Sequence, residues 1–285
     1  MLPFEQQDIP VASGESITAR FFPPVGAVRG MVLVVPGIAI PQTYYAAFAG
    51  WLARQGFLVA TFDYRGIGLS LRGDLRQVDT DLLGWAAVDC AAMVSALDER
   101  APELPLLWIG HSLGGQILPM VPNHARVDKM LTIATGSGYW RENSPALKRI
   151  VWWMWYVAVP LSVPLFGYFP GKLLRMVGDL PRGVIRQWRQ WCLNRDYLLG
   201  VEGQPVRERY LAMTLPIVSL SFTDDEFMSA RNTESIHGFF ANAPRTMRRI
   251  APADMGVKRI GHFGFFKAGS EQTLWQPLLL PELSL

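Results

Sequence analysis

The chain has 285 residues, 50% hydrophobic and only 18% charged, enough to bury a large core in one domain or in a domain with an insertion. That balance excludes disorder for most of the length, and 26 glycines and 21 prolines spread without a repeating period exclude collagen, solenoid and propeller architectures. A formal net charge of +3, with no long run of like charges, offers no arm for nucleic acid.

The opening stretch MLPFEQQDIP lacks both the positive start and the apolar run of a secretory signal, and Cys90 and Cys192 are the only cysteines. Each lies in an apolar-periodic segment, so buried free thiols in a cytoplasmic setting are expected. Ser16 to Phe22 alternates in polarity and suits an antiparallel strand at a sheet edge. Short apolar runs follow at Met31 to Val35, Phe57 to Phe62, Leu104 to Ile109 and Met130 to Ala134, each the pattern of a parallel strand buried on both faces. Between them Tyr44, Tyr45, Phe48, Trp51 and Leu52 share one helical face ending at Gly56. Leu82, Trp85, Ala86, Met93 and Leu97 share another after an Asp79-Thr80-Asp81 start. Strand and helix in alternation predict an α/β fold with a doubly wound, mostly parallel sheet. Pro216 to Phe222 and Thr246 to Ile250 supply two late strands. From Tyr139 to about Tyr210 the alternation stops, so the expected division is a core over 1–138 and 211–285 with a helical lid inserted at 139–210. The insertion holds six of the ten tryptophans, and from Tyr139 to Tyr197 nine Lys and Arg face three acids.

Gly110-His111-Ser112-Leu113-Gly114 directly follows the strand LPLLWI and leads into GGQIL, expected to be helical. This is the setting of a nucleophile elbow, in which the serine occupies a sharp turn and the flanking positions have no room for side chains. A serine hydroxyl needs a base, and the base needs an orienting acid. Of the four histidines, His111 lies inside the elbow but points elsewhere, His124 follows Pro122-Asn123, and His237 sits in a helical stretch. His262, in a glycine-flanked loop after the last strand, is placed to act as base. The acid should follow the strand PIVSLSF, which runs into Asp224-Asp225-Glu226; Asp224, the first carboxylate past the strand, is the favoured acid and Asp225 the alternative.

The segments VLVVPG, FDYRGIGLS, GHSLGG, SFTDD and IGHFGFF resemble those of the α/β-hydrolase superfamily across essentially the whole chain, and the order Ser112, Asp224, His262 is that superfamily's order. The elbow is similar to that of monoacylglycerol-lipase-like and aminopeptidase-like serine hydrolases, and GYFPGK, DLP and GHFGFF resemble a bacterial group of predicted hydrolases. Many relatives carry His-Gly at the end of the first parallel strand, where this chain has Pro36-Gly37. Because the oxyanion hole uses backbone, the resemblance still assigns it to the N–H groups of Ile38 and Leu113. Asp63, Tyr64 and Arg65 match the family's DYRG stretch, expected to form a buried turn with an Arg–Asp pair. No Cys/His cluster has metal spacing and no phosphate-cradling glycine loop is present, so neither metal nor cofactor is implied.

The resemblance implies a serine hydrolase that cleaves a small-molecule carboxylic ester through an acyl-enzyme. Thioesterase, peptidase and acyltransferase chemistry share the scaffold, and a non-catalytic binding protein would be expected to lack a triad member. Trp152, Trp153 and Trp155 are the lid's candidate substrate-binding residues, and the lid's aromatic and basic character also suits peripheral contact with an anionic membrane. Ile150 to Phe169 is twenty residues long without a charge, but Pro160 and Pro164 interrupt it. A single crossing there would also put Ser112 and His262 on opposite sides of a bilayer.

Overall fold

The computed structural model describes residues 3–284. Its eight strands are β1 (Glu5–Pro10), β2 (Ser16–Phe22), β3 (Gly30–Val35), β4 (Phe57–Phe62), β5 (Leu106–His111), β6 (Lys129–Ile133), β7 (Ile217–Phe222) and β8 (Arg245–Ile250). They form one sheet in the order β1-β2-β4-β3-β5-β6-β7-β8. From β4 to β8 every pairing is parallel, whereas β1 and β2 run antiparallel to their neighbours. The apolar runs become the central strands because a parallel sheet must be covered on both faces. Along β3 the side chains of Met31, Leu33 and Val35 enter one core, and those of Val32 and Val34 enter the other.

The strand over Ser16–Phe22 is antiparallel as expected but is not the edge: β1 lies outside it, mostly exposed and closed by Pro10. At the opposite edge, β8 exposes Arg245 and Arg249, charges that discourage pairing with another chain. The GGQIL stretch, expected to be helical, is not one continuous helix. Ser112–Gly115 and Leu118–Met120 are separate single turns of 3-10 helix, since Pro119 and Pro122 each lack an N–H and cannot continue a helical ladder.

Helices cover both faces. On one side α1 (Ala46–Arg54) packs Phe48 and Trp51 against Trp275 near the C-terminus. On the other lies α2 (residues 82–100), opened by the Asp81 side chain accepting from Gly84 N–H at 2.7 Å and widened into a π-helical turn over Trp85–Cys90. The DYRG turn is buried, but Arg65 pairs with Asp89 of α2 at 2.6 Å, while Asp63 accepts from Gln42 and Leu69 N–H groups. Burial pushes the Asp89 carboxyl up to about 6, against the pull of the Arg65 guanidinium. Both cysteines are buried and free.

Between β6 and β7 the chain builds α3 (residues 145–166), α4 (Arg182–Leu193), α5 (Tyr197–Glu202) and α6 (Gln204–Ala212). Trp191 is fully buried and Trp155 nearly so, both within the core cluster that includes β5 and α2, so this segment packs as part of the same body. Gln187 of α4 accepts from the Leu82 and Leu83 N–H groups and thereby caps α2.

Candidate active site

The elbow is built by steric necessity. Ser112 adopts a left-handed backbone (φ 51°), which is costly for a residue with a side chain. A Cβ on Gly110 would collide with the Gly114 and Gly115 backbone, and one on Gly114 with the Val35 carbonyl, so both glycines are required by close backbone approach. Trp108 Nε1 donates to the Gly114 carbonyl at 2.8 Å and Thr135 Oγ1 to the Ser112 carbonyl at 3.1 Å, bracing the strained turn from its own strand and from the segment just after β6.

Beside the elbow runs the turn after β3. Gly37 lies against Ser112, and Ala39 is also left-handed (φ 59°). The N–H groups of Ile38 and Leu113 donate to no described residue, while both residues line the cavity that contains Ser112. That leaves two backbone donors free for a developing oxyanion.

The base segment follows β8 and is held by three consecutive acids after β7. His262, 4% exposed, donates from Nδ1 to Asp225 at 2.9 and 3.1 Å to its two oxygens. Asp225 Oδ1 also accepts from Phe227 and Met228 N–H groups, so the carboxylate is fixed in the orientation that faces the ring. Asp224, the expected partner, instead accepts from the backbone N–H groups of Ile260 and Gly261 at 2.9 and 3.0 Å. Glu226 accepts from His262 N–H at 3.1 Å. The reason is the turn closed by Asp225 N–H on the Phe222 carbonyl, which turns the second carboxylate inward and leaves the first beside the loop amides. Among the described residues no hydrogen bond joins the Ser112 hydroxyl to the His262 ring.

The other histidines are occupied elsewhere. His237 is buried, donates from Nδ1 to the Thr233 carbonyl and accepts from Thr132 Oγ1, and burial pushes it down to about 4, so it is neutral. His124, half-buried, donates from Nδ1 to the Val121 carbonyl. His111 is fully buried, its ring engaged by Tyr45 and by the His262 carbonyl.

Ser112 opens into a cavity of about 350 Å³ whose walls are mainly apolar, from Met154, Trp155 and Val177 of the insertion and from Phe227, Met228 and Phe263 of the core. Two larger hollows of about 460 and 520 Å³ contain neither Ser112 nor His262. Trp155 lines the cavity, but Trp152 and Trp153, 49% and 44% exposed, face solvent and do not touch it. The cause is helical spacing: Leu147, Val151, Met154 and Trp155 share the face turned to the cavity, and Trp153, two residues before Trp155, lies on the far side. Leu147, Trp188 and Tyr197 are cavity residues that their sequence context did not single out. No group of acids, histidines and cysteines able to hold a metal occurs among the described residues.

The family model described as serine aminopeptidase, S33, matches residues 26–186. Monoglyceride lipase of Rattus norvegicus is 31% identical over 114 residues, 39% of this chain, and the match spans only 37% of that relative's length. A highly thermostable carboxyl esterase from Bacillus coagulans superposes with a TM-score of 0.63 at 16% identity, covering 88% of this chain and 91% of its own. A soluble variant of monoglyceride lipase from Saccharomyces cerevisiae gives 0.62 at 17% identity, covering 88% and 86%. With the family matched over more than half of its length and the fold shared with these esterases, the chain belongs to the serine aminopeptidase S33 family of α/β-hydrolase serine hydrolases.

Proposed function

We propose that the protein hydrolyses carboxylic esters of apolar acyl groups through an acyl-enzyme. Ser112 attacks the carbonyl and His262 takes its proton and returns it to the leaving alcohol. Asp225 holds the imidazole with its proton on Nδ1, and the Ile38 and Leu113 N–H groups receive the oxyanion. The observation that carries this reading is Ser112 opening into an apolar cavity of about 350 Å³ walled in part by Phe227 and Phe263, whose rings pack on the Asp225-paired His262. The walls favour an acyl chain over a peptide, whose amides would need partners: the Gln116 side chain is already engaged at both ends, by Tyr197 and by the Gly136 carbonyl. Similarity to monoglyceride lipase supports an ester substrate; thioester cleavage and acyl transfer would use the same acyl-enzyme.

Ser112→Ala is expected to lower turnover of a p-nitrophenyl ester by about 10⁴ to 10⁶. Mass-spectrometric mapping should place a fluorophosphonate adduct on Ser112 in the native chain and find none in the variant. Native turnover by the folded variant would refute the assignment.

The outer face of α3 supports a second element of this reading, that the insertion rests on a lipid surface. Trp152, Trp153, Tyr156, Leu161, Leu165 and Phe166 are all exposed, Leu165 by 78%. Arg149 on α3 and Lys172 in the segment after it are exposed, Lys172 3.8 Å from Asp179. Apolar side chains flanked by cations are the composition that enters the interface of an anionic membrane.

A further inference from the structure

His111 stands inside the elbow pentapeptide, yet its ring does not line the cavity. Its Nε2 lies 3.0 Å from the backbone carbonyl of His262 and its Nδ1 2.7 Å from the Tyr45 hydroxyl. A carbonyl only accepts, so Nε2 carries the proton; in the neutral ring Nδ1 must then accept, and the Tyr45 hydroxyl donates to it. The Tyr45 oxygen in turn accepts from Gly37 N–H at 3.0 Å. The result is a chain of one polarity from Gly37 N–H through Tyr45 and His111 to the His262 carbonyl, with Tyr45 and His111 fully buried. Bonds aligned in this way polarise one another in the same sense.

The neighbouring residue adds a parallel tie, because Tyr44 donates its hydroxyl to the Phe263 carbonyl. Two consecutive tyrosines of the Gln42–Tyr45 turn thus grip consecutive carbonyls of the base segment, one directly and one through His111. Phe266 packs on the Tyr45 and His111 rings at 4.9 and 4.8 Å between centroids, which limits their motion. Burial holds His111 well below the usual histidine range and Tyr45 well above the usual tyrosine range, so both keep the neutral forms that the chain of bonds demands.

We propose that Tyr45 and His111 are positioning residues that lock the His262 segment to the Gly37–Ile38 turn, so that base and oxyanion donors keep a common geometry around Ser112. The inference rests on the serine-hydrolase reading above. It explains why a histidine suits position 111: one ring supplies an acceptor and a donor on opposite edges, bridging elements from distant parts of the chain.

The test uses the full chain, ester turnover and the rate of fluorophosphonate labelling. Tyr45→Phe keeps the aromatic packing and deletes one link; kcat and the labelling rate are expected to fall about 5- to 50-fold with KM within about 2-fold, because sub-ångström misplacement of a catalytic group acts on the chemical step. His111→Phe should lose on the order of 100-fold, and His111→Gln, whose amide can both donate and accept, should recover most of that loss. A purely structural role would lower the melting temperature while leaving kcat per folded molecule unchanged. Native kcat in folded Tyr45→Phe, or equal losses in the Phe and Gln variants at 111, overturns the inference. If His111→Phe does not fold, Tyr45→Phe decides alone. A native chain that fails to label at Ser112 refutes the hydrolase reading itself, whereas equal labelling of native and Tyr45→Phe chains refutes only the positioning roles.

Discussion

At the scale of single residues, the acids after β7 divide the work of holding one loop. Asp225 pairs with the His262 ring, Asp224 with two backbone amides and Glu226 with a third. A carboxylate that accepts from the ring is needed to keep the proton on Nδ1, and an amide at that position can present its NH₂ and stabilise the wrong tautomer. Asp225→Asn is therefore expected to lower kcat by about 10⁴, as for loss of the acid in other triads. Asp224→Asn retains an acceptor for one of the two amides and should cost about 10-fold or less. Rates of the two variants at matched stability check this, and the reverse ranking would return the role to Asp224. The strained turn at Ser112 was legible from glycine sterics, and an acid after β7 pairing with His262 from chain order. The sequence could not separate two adjacent carboxylates, because which one turns inward depends on the backbone turn between Phe222 and Asp225, and no residue type encodes that by itself.

At the scale of elements, α3 shows how an irregular helix can be stabilised from outside. In its π-helical turn Val159 N–H donates to the Met154 carbonyl, one residue further back than in an α-helix. The Trp155 carbonyl would then look to residue 160 for a donor, and Pro160 has none. Arg189 of α4 supplies it, donating from Nε to the Trp155 carbonyl at 2.6 Å, while Trp188 packs edge-on against Trp155 at 4.9 Å. Arg189→Leu leaves that carbonyl without a partner and is expected to cost about 1–3 kcal/mol. For a chain of this size each kcal/mol corresponds to about 2–4 °C in the melting temperature. Hydrogen exchange in α3 should quicken in parallel; unchanged melting and exchange would show that water or another group satisfies the carbonyl equally well. Spacing alone parts Trp155 from Trp153, but which side of α3 turns inward is set by its packing on α4, and an apolar run rich on all sides does not encode that. Elements with regular physics were legible: Phe57–Phe62 has the bounds its apolar run implies, whereas β1, exposed and polar, carries no apolar pattern to read.

At the scale of the molecule, the sheet gathers the turn after β3, the elbow after β5 and the acids after β7 at the carboxyl ends of parallel strands, and the segment between β6 and β7 roofs the cavity they share. The roof has two different surfaces. Inside, Met154 and Trp155 are buried against the core; outside, the same helix exposes a largely apolar stripe from Trp152 to Phe166. A stripe of that size facing water is costly unless something covers it. Only 39% of its most apolar window is buried within the fold, and its twenty-residue span is joined at both ends to the packed body, so lying along a bilayer surface suits it better than crossing one. Two forces would then act together: apolar burial, insensitive to salt, and attraction of exposed cations such as Arg149 to anionic headgroups, screened within about 10 Å at 0.1 M salt. The expected outcome is sedimentation with vesicles containing phosphatidylserine at low salt, partial release as salt rises, and weak binding to purely zwitterionic vesicles. Trp152→Ala and Leu165→Ala should each weaken retention while leaving turnover of a soluble short-chain ester within about 2-fold, since neither side chain touches the cavity. Absence of retention at low salt by the native chain would rule out the lipid surface and leave the stripe to be covered in some other way.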